Sequence, residues 1–82
     1  KGTIEKLGVD RYKIDGKVLI SEVADTTGIL LTDTTMHTIG GMLVNELRHL
    51  PKPGESIVIS SYRFTVDEVT EKSIKSITVE PV

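Results

Sequence analysis

Eighty-two residues, 38% hydrophobic and 27% charged, have the composition of one small folded domain rather than a disordered chain. Twelve acidic against ten basic residues, a net charge of −2, give little pull toward a phosphate backbone, and the lack of cysteine excludes disulfides, iron–sulfur clusters and thiolate zinc sites. No apolar run approaches the ~20 residues of a membrane span, and no charged start leads into an apolar core and cleavage site.

Residues 1–8, KGTIEKLG, read as a short lead-in, with a folded domain expected over residues 9–82. Tyr12 and Ile14 share one side at a period of two, with Arg11 and Lys13 opposite. Asp15-Gly16 has the residue types of a two-residue hairpin turn, so Lys17–Ile20 is the expected returning strand. Ser21 is the expected N-cap of a short helix over Glu22–Thr27, with Gly28 as its left-handed stop. Ile29–Leu31 form an apolar plug, and residues 32–38, TDTTMHT, a polar approach. Thr38 is expected to cap a second helix from Ile39 to about His49. Ile39, Leu43 and Leu47 lie four apart, with Met42 and Leu50 near the same stripe. Gly40-Gly41 in its first turn costs about 1 kcal/mol per glycine relative to alanine, which implies that at least one packs closely against a strand or adjacent backbone. Pro51 stops the helix, and LPKPGE is a turn.

The last third is β-branched and alternating. Residues 56–60, SIVIS, precede 62–69, where Tyr62, Phe64 and Val66 fall on one side. Residues 74–79, IKSITV, form a final strand in which Ile74 is out of phase with Ile77 and Val79, so a bulge or late start is expected. Ser60-Ser61 and Thr70–Ser73 supply reversals, the short links favour a meander, and Pro81 ends pairing. The expected fold class is α+β, an antiparallel sheet with two helices on one face. Tyr12, Ile14, Ile57, Ile59, Phe64, Val66, Ile77 and Val79 need a covered side.

Chemistry is sparse. His37 is a candidate base for Thr34, Thr35 or Thr38, but the spacing supplies no third group to orient it, and caps and turns explain these residues. His37, His49 and Asp33 are candidate metal ligands, yet twelve residues separate the histidines, which is no local ligand spacing. Gly40-Gly41 would bind a phosphate through free amides, although no Walker lysine or full dinucleotide pattern accompanies them. Asp67, Glu68 and Glu71 beside a turn would attract a hard cation weakly, and solvated carboxylates are the commoner outcome. Tyr62 and Phe64 form a loose stacking stripe or, more simply, core aromatics. No catalytic residue, metal ligand or cofactor-binding residue is assigned.

The ordered set Tyr12-Lys13-Ile14-Asp15-Gly16, a short helix near Ser21, Thr38-Ile39-Gly40-Gly41, Leu50-Pro51-Lys52-Pro53-Gly54-Glu55 and Phe64-Thr65-Val66-Asp67-Glu68-Val69 resembles the CorC/HlyC transporter-associated domain over about residues 9–80. This is the C-terminal module of haemolysin-like and magnesium/cobalt efflux proteins. The family often has an acidic residue where this chain has His37, and a glycine near Arg48 or His49. The resemblance implies an upstream membrane domain and a pair of CBS domains as partners, on the cytoplasmic side of the plasma (inner) membrane. The start on Lys1 agrees with a piece of a longer protein. It implies a non-enzymatic regulatory or interaction role in ion transport. A flavin adenine dinucleotide or adenine-nucleotide binding module is the alternative, by fold analogy alone. A plain dimerisation domain is the third reading. The isolated domain is expected to self-associate weakly, or to stay monomeric while keeping a protein-binding face, at an uncovered part of the sheet or the Ile29–Leu31 plug, with a free strand edge as another option.

Overall fold

Two runs of alternating residues, one at each end of the chain, meet in one antiparallel sheet in the computed structural model, which describes residues 2–31 and 36–82. The elements are β1 (Ile4–Gly8), β2 (Arg11–Asp15), α1 (Ile20–Thr27), α2 (Ile39–Leu47), β3 (Ser56–Ile59), β4 (Tyr62–Val69) and β5 (Ile74–Pro81). The sheet order is β1-β2-β5-β4-β3. The C-terminal meander is as expected, and β2 joins it by pairing with β5, Ile14 opposite Ile77. Both helices pack on one face, so the fold is α+β. The buried row Tyr12, Val79, Phe64 and the row Ile14, Ile77, Val66 supply the sheet's half of the core. Val23, Ile39, Met42 and Leu43 supply the helical half. Ile57 and Ile59 are only partly covered, because β3 is an edge strand.

The other face of the sheet is polar. Glu5, Lys13, Thr78, Thr65 and Ser56 form one row across all five strands. Arg11 and Glu80 make an ion pair at 3.4 Å beside it. An antiparallel sheet with one wet face needs this alternation.

Several local expectations are corrected. Residues 4–8, read as part of a lead-in, form β1, and the hairpin turns at Val9-Asp10, with Asp10 at φ 58°. Asp15-Gly16 is therefore not the hairpin turn. Asp15 Oδ1 accepts the Lys17 amide at 2.8 Å, and the chain leaves the sheet. Lys17–Ile20 is not a strand of the sheet; its Leu19 bridges to Thr38 instead. Helix α1 starts one residue before Ser21, with Leu19 as N-cap and no side-chain cap. The carbonyl of His37 accepts the Ile20 amide at 2.8 Å, so a tertiary bond replaces the expected serine. Gly28 does end α1 in the left-handed region at φ 77°.

Helix α2 is capped by Thr38 as expected, its hydroxyl accepting the Gly41 amide at 3.1 Å. It ends at Leu47 rather than near His49. Arg48 takes the left-handed C-cap at φ 69°, its N–H donating to the Val44 carbonyl at 2.8 Å. The buried stripe is Ile39, Met42 and Leu43; Leu47 is half-buried and Leu50 exposed. The phase change expected at Ile74 is present as register breaks between Val66, Glu68 and Val69, opposite Ile77, Ser76 and Ile74. Ser60 and Ser61 both adopt positive φ, 52° and 69°, as a two-residue hairpin turn requires.

Candidate functional site

The start of α2 is where the two halves of the molecule are keyed together. Gly16 sits between the sheet and the helix. Its N–H donates to the Lys75 carbonyl at 2.9 Å, and its own carbonyl accepts the Gly40 amide at 3.0 Å. A Cβ on Gly16 would lie 2.0 Å from the Ile74 carbonyl oxygen, and one on Gly40 would lie 2.9 Å from the Gly16 oxygen. Side chains at either position exclude this approach. The expected close packing of the helix glycines is thus real for Gly40, against the backbone after β2 rather than a strand. For Gly41 the nearest atom is the Thr38 hydroxyl, at 3.0 Å.

Beside these glycines lies a groove of about 350 Å³, lined by Met36, Val44 and Ile74 and by Lys17, Asn45 and Lys72. Its size is at the low end of ligand clefts, about 300–1,000 Å³. Two lysines near a glycine-rich helix start invite an anion reading, but the amides are spent. Ile39 donates to the Val18 carbonyl, Gly40 to Gly16, Gly41 to the Thr38 hydroxyl and Met42 to the Thr38 carbonyl, all between 2.9 and 3.1 Å. The N–H groups of Ile39, Gly40 and Gly41, which the helix start leaves open, are all used, and Met42 makes the first ordinary helical bond, so the phosphate reading of Gly40-Gly41 is overturned. The residues present do not fit a flavin dinucleotide. No aromatic side chain lines the groove, Phe64 and Tyr12 are buried in the core, and no first-turn amide is free for a pyrophosphate.

The remaining candidates are dispersed. His37 is exposed and Thr38 is engaged as a cap. Asp33, Thr34 and Thr35 lie outside the described residues. His37 precedes the nine-residue α2 and His49 follows it, so the two histidines sit at opposite ends of a rod about 13 Å long and cannot share an ion. Among the described residues no group of three or more His, Asp or Glu is placed to hold a metal. Asp67 accepts from the Thr78 hydroxyl at 2.5 Å and Glu68 from Ser76 at 3.3 Å. Both carboxylates thus serve cross-strand hydrogen bonds. Phe64 is wholly buried and Tyr62 packs against the core, which removes the stacking stripe. The Ile29–Leu31 plug is split: Ile29 is buried, Leu31 half-buried and Leu30 72% exposed.

One polar cluster was not anticipated. His49 Nδ1 lies 2.9 Å from the Leu47 carbonyl, and Nε2 lies 2.9 Å from Glu55 Oε1. Both partners are pure acceptors, so both bonds form only when the ring carries two protons. Glu55 Oε2 also accepts the Lys52 amide at 2.6 Å. The His49 pKa is raised by the Glu55 bond first, then by the Leu47 carbonyl. The Glu55 pKa is lowered by the Lys52 amide first, then by His49. The pair clips the end of α2 to the proline–glycine turn. The only sequence signal for it was a histidine and a glutamate flanking LPKPG.

Comparison with known proteins places these features. The pattern of the CorC_HlyC family, described as a transporter associated domain, matches residues 5–82. UPF0053 protein YhdP of Bacillus subtilis is 34% identical over 94% of this chain. The magnesium and cobalt efflux protein CorC of Buchnera aphidicola is 32% identical over 93% of it. The chain spans only 17% and 26% of the lengths of these two curated relatives. The solved transporter associated domain CorC_HlyC from Nitrosomonas europaea superposes with a TM-score of 0.90 at 22% identity, over 98% of this chain and 96% of that one. With the family pattern running from β1 to the last residue of the chain, the protein described here belongs to the CorC_HlyC family of transporter-associated domains.

Proposed function

We propose that this chain is a non-catalytic regulatory or protein-interaction module of a CorC-like membrane protein, biasing divalent-cation transport from the cytoplasmic side of the inner membrane. The observation that carries this reading is the match of nearly the whole chain to a transporter-associated family, while it spans a sixth to a quarter of its relatives. No helix among the described residues is long and apolar enough to cross a membrane. In this reading the module acts on transport through contacts with other parts of a longer protein. The partners are the CBS pair and membrane domain that the family resemblance implies. Regulation of this kind needs two global states that the module contacts differently.

The test deletes residues 4–82 from the full-length protein and measures magnesium and cobalt efflux from loaded cells or vesicles. A changed dependence of efflux on internal cation concentration, with normal membrane insertion, is expected. Unchanged efflux over the whole concentration range overturns the reading.

A further inference from the structure

Strand β3 is one free edge of the sheet, and it lacks the devices that keep an edge unpaired. The opposite edge, β1, bears Glu5 and Lys6 and a register break between Lys6 and Gly8. Charges and bulges of this kind discourage a further strand. In contrast, β3 reads Ser56-Ile57-Val58-Ile59, uncharged, without proline, and in unbroken register with β4. Its outward groups follow from ladder alternation. The Glu55 carbonyl accepts the Val66 amide at 2.8 Å, so Ile57 and Ile59 also face β4, and the N–H and C=O of Ser56 and Val58 point away. Among the described residues no strand pairs with them. The Val58 side chain is 51% exposed on the polar face, and Ile57 and Ile59 are only partly covered on the helix face.

The chain along this edge is a palindrome, Ser56-Ile57-Val58-Ile59-Ser60. An antiparallel copy centred on Val58 sets Val58 against Val58 and Ile57 against Ile59; Ser60 lies in the hairpin turn at φ 52°, its hydroxyl donating to the Leu30 carbonyl, and is not part of the ladder. Every pair is apolar with apolar, and none carries charge. Such β-branched cross-strand pairs are favourable. The Ile57–Ile59 pairs also complete the cover that the edge leaves unfinished. We propose that β3 pairs with β3 of a second copy of this chain, about a two-fold axis at Val58, to make one continuous sheet with the helices of both copies on the same face. This rests on the interaction-module reading and names a surface and an occupant for it. Three paired residues a side fall well short of the ~800 Å² per partner of a stable interface. The pairing is therefore weak between free chains and strengthens when two copies are held in one assembly.

The native sequence has no cysteine, so Val58→Cys introduces a single thiol. In a hydrogen-bonded pair the two Cα atoms sit about 5.5 Å apart, within disulfide reach. At millimolar concentration V58C is expected to oxidise to a dimer about tenfold faster than the control Glu5→Cys on the opposite edge, from its higher effective concentration. In the unmodified chain, hydrogen exchange at the Val58 amide is expected to slow as concentration rises. Val58→Lys, with an unchanged circular dichroism spectrum, is expected to stay monomeric in sedimentation equilibrium. Equal oxidation of the two cysteine variants, concentration-independent exchange at Val58, or a dimer that survives V58K overturns the pairing. A monomer whose deletion still alters efflux overturns the pairing alone. A β3 dimer whose deletion leaves efflux unchanged overturns the regulatory reading alone.

Discussion

Gly16 and Gly40 show how a residue's value depends on what lies beyond its own element. Gly40→Ala would raise helix propensity by about 1 kcal/mol, yet its Cβ would meet the Gly16 carbonyl oxygen at 2.9 Å. Gly16→Ala would drive a methyl into the Ile74 carbonyl oxygen. Backbone at both contacts cannot rotate aside, so overpacking costs of about 1–3 kcal/mol are expected, Gly16 the larger. Urea unfolding checks both, and a more stable Gly16→Ala would contradict the packing. Arg48 is the opposite case. It holds φ 69° with a side chain, where the resembling family often has glycine nearby. Arg48→Gly is expected to raise stability by about 1 kcal/mol, read as a higher denaturation midpoint with unchanged slope.

His49 gives the residue scale its pH dependence. Its pKa is raised in the folded chain, so its contribution is whole below the ordinary histidine value of about 6.5 and is lost as pH rises through the raised value. The Glu55 pKa is lowered, so its contribution is whole above the ordinary carboxylate value of about 4.3 and is lost as pH falls through the lowered one. The clip is complete between those two ordinary values. An NMR titration should place His49 above its ordinary value and return it toward that value in Glu55→Gln. An unmoved His49 in that variant would show that Glu55 is not the cause.

At the scale of elements, α2 was legible because its pattern is local. Thr38 precedes an apolar stripe, and the hydroxyl caps the helix as such a residue should. Leu43 is fully buried, so Leu43→Ala is expected to cost about 2–5 kcal/mol in denaturant titration. Leu47→Ala should cost less, since Leu47 is half-buried. Less than about 0.5 kcal/mol for Leu43→Ala would contradict its place in the core. The helix's end was less legible. Pro51 limits how far a helix can run, but the actual stop is the left-handed turn at Arg48, a residue with no sequence preference for it. The start of α1 was misread for a related reason. Ser21 is a good cap by type, but the His37 carbonyl had already taken the Ile20 amide.

For the whole molecule, one buried cluster joins Tyr12 and Ile14 of β2, Phe64 and Val66 of β4, Ile77 and Val79 of β5, and both helices. Neither half of the chain has a core without the other. Thermal unfolding is therefore expected as one transition with equal calorimetric and van't Hoff enthalpies. Two resolved transitions would separate the β1–β2 hairpin from the meander and contradict a shared core.

Alternation and periodicity in the sequence by themselves determined β2, the meander, α2 and the α+β class, because burial on one face imposes a period of two or 3.6 on neighbouring residues. Only the tertiary structure decided that residues 4–8 are an edge strand, that β2 lies against β5, and that Gly16 is a spacer between sheet and helix. These depend on atoms brought together from distant parts of the chain. It also decided the fate of the candidate site. The sequence showed paired glycines at a helix start, a pattern that suits anions, and the fold set Lys17 and Lys72 beside them. The fold spent every first-turn amide on Val18, Gly16 and Thr38, since a buried N–H must find a partner, and the nearest partners were the chain's own.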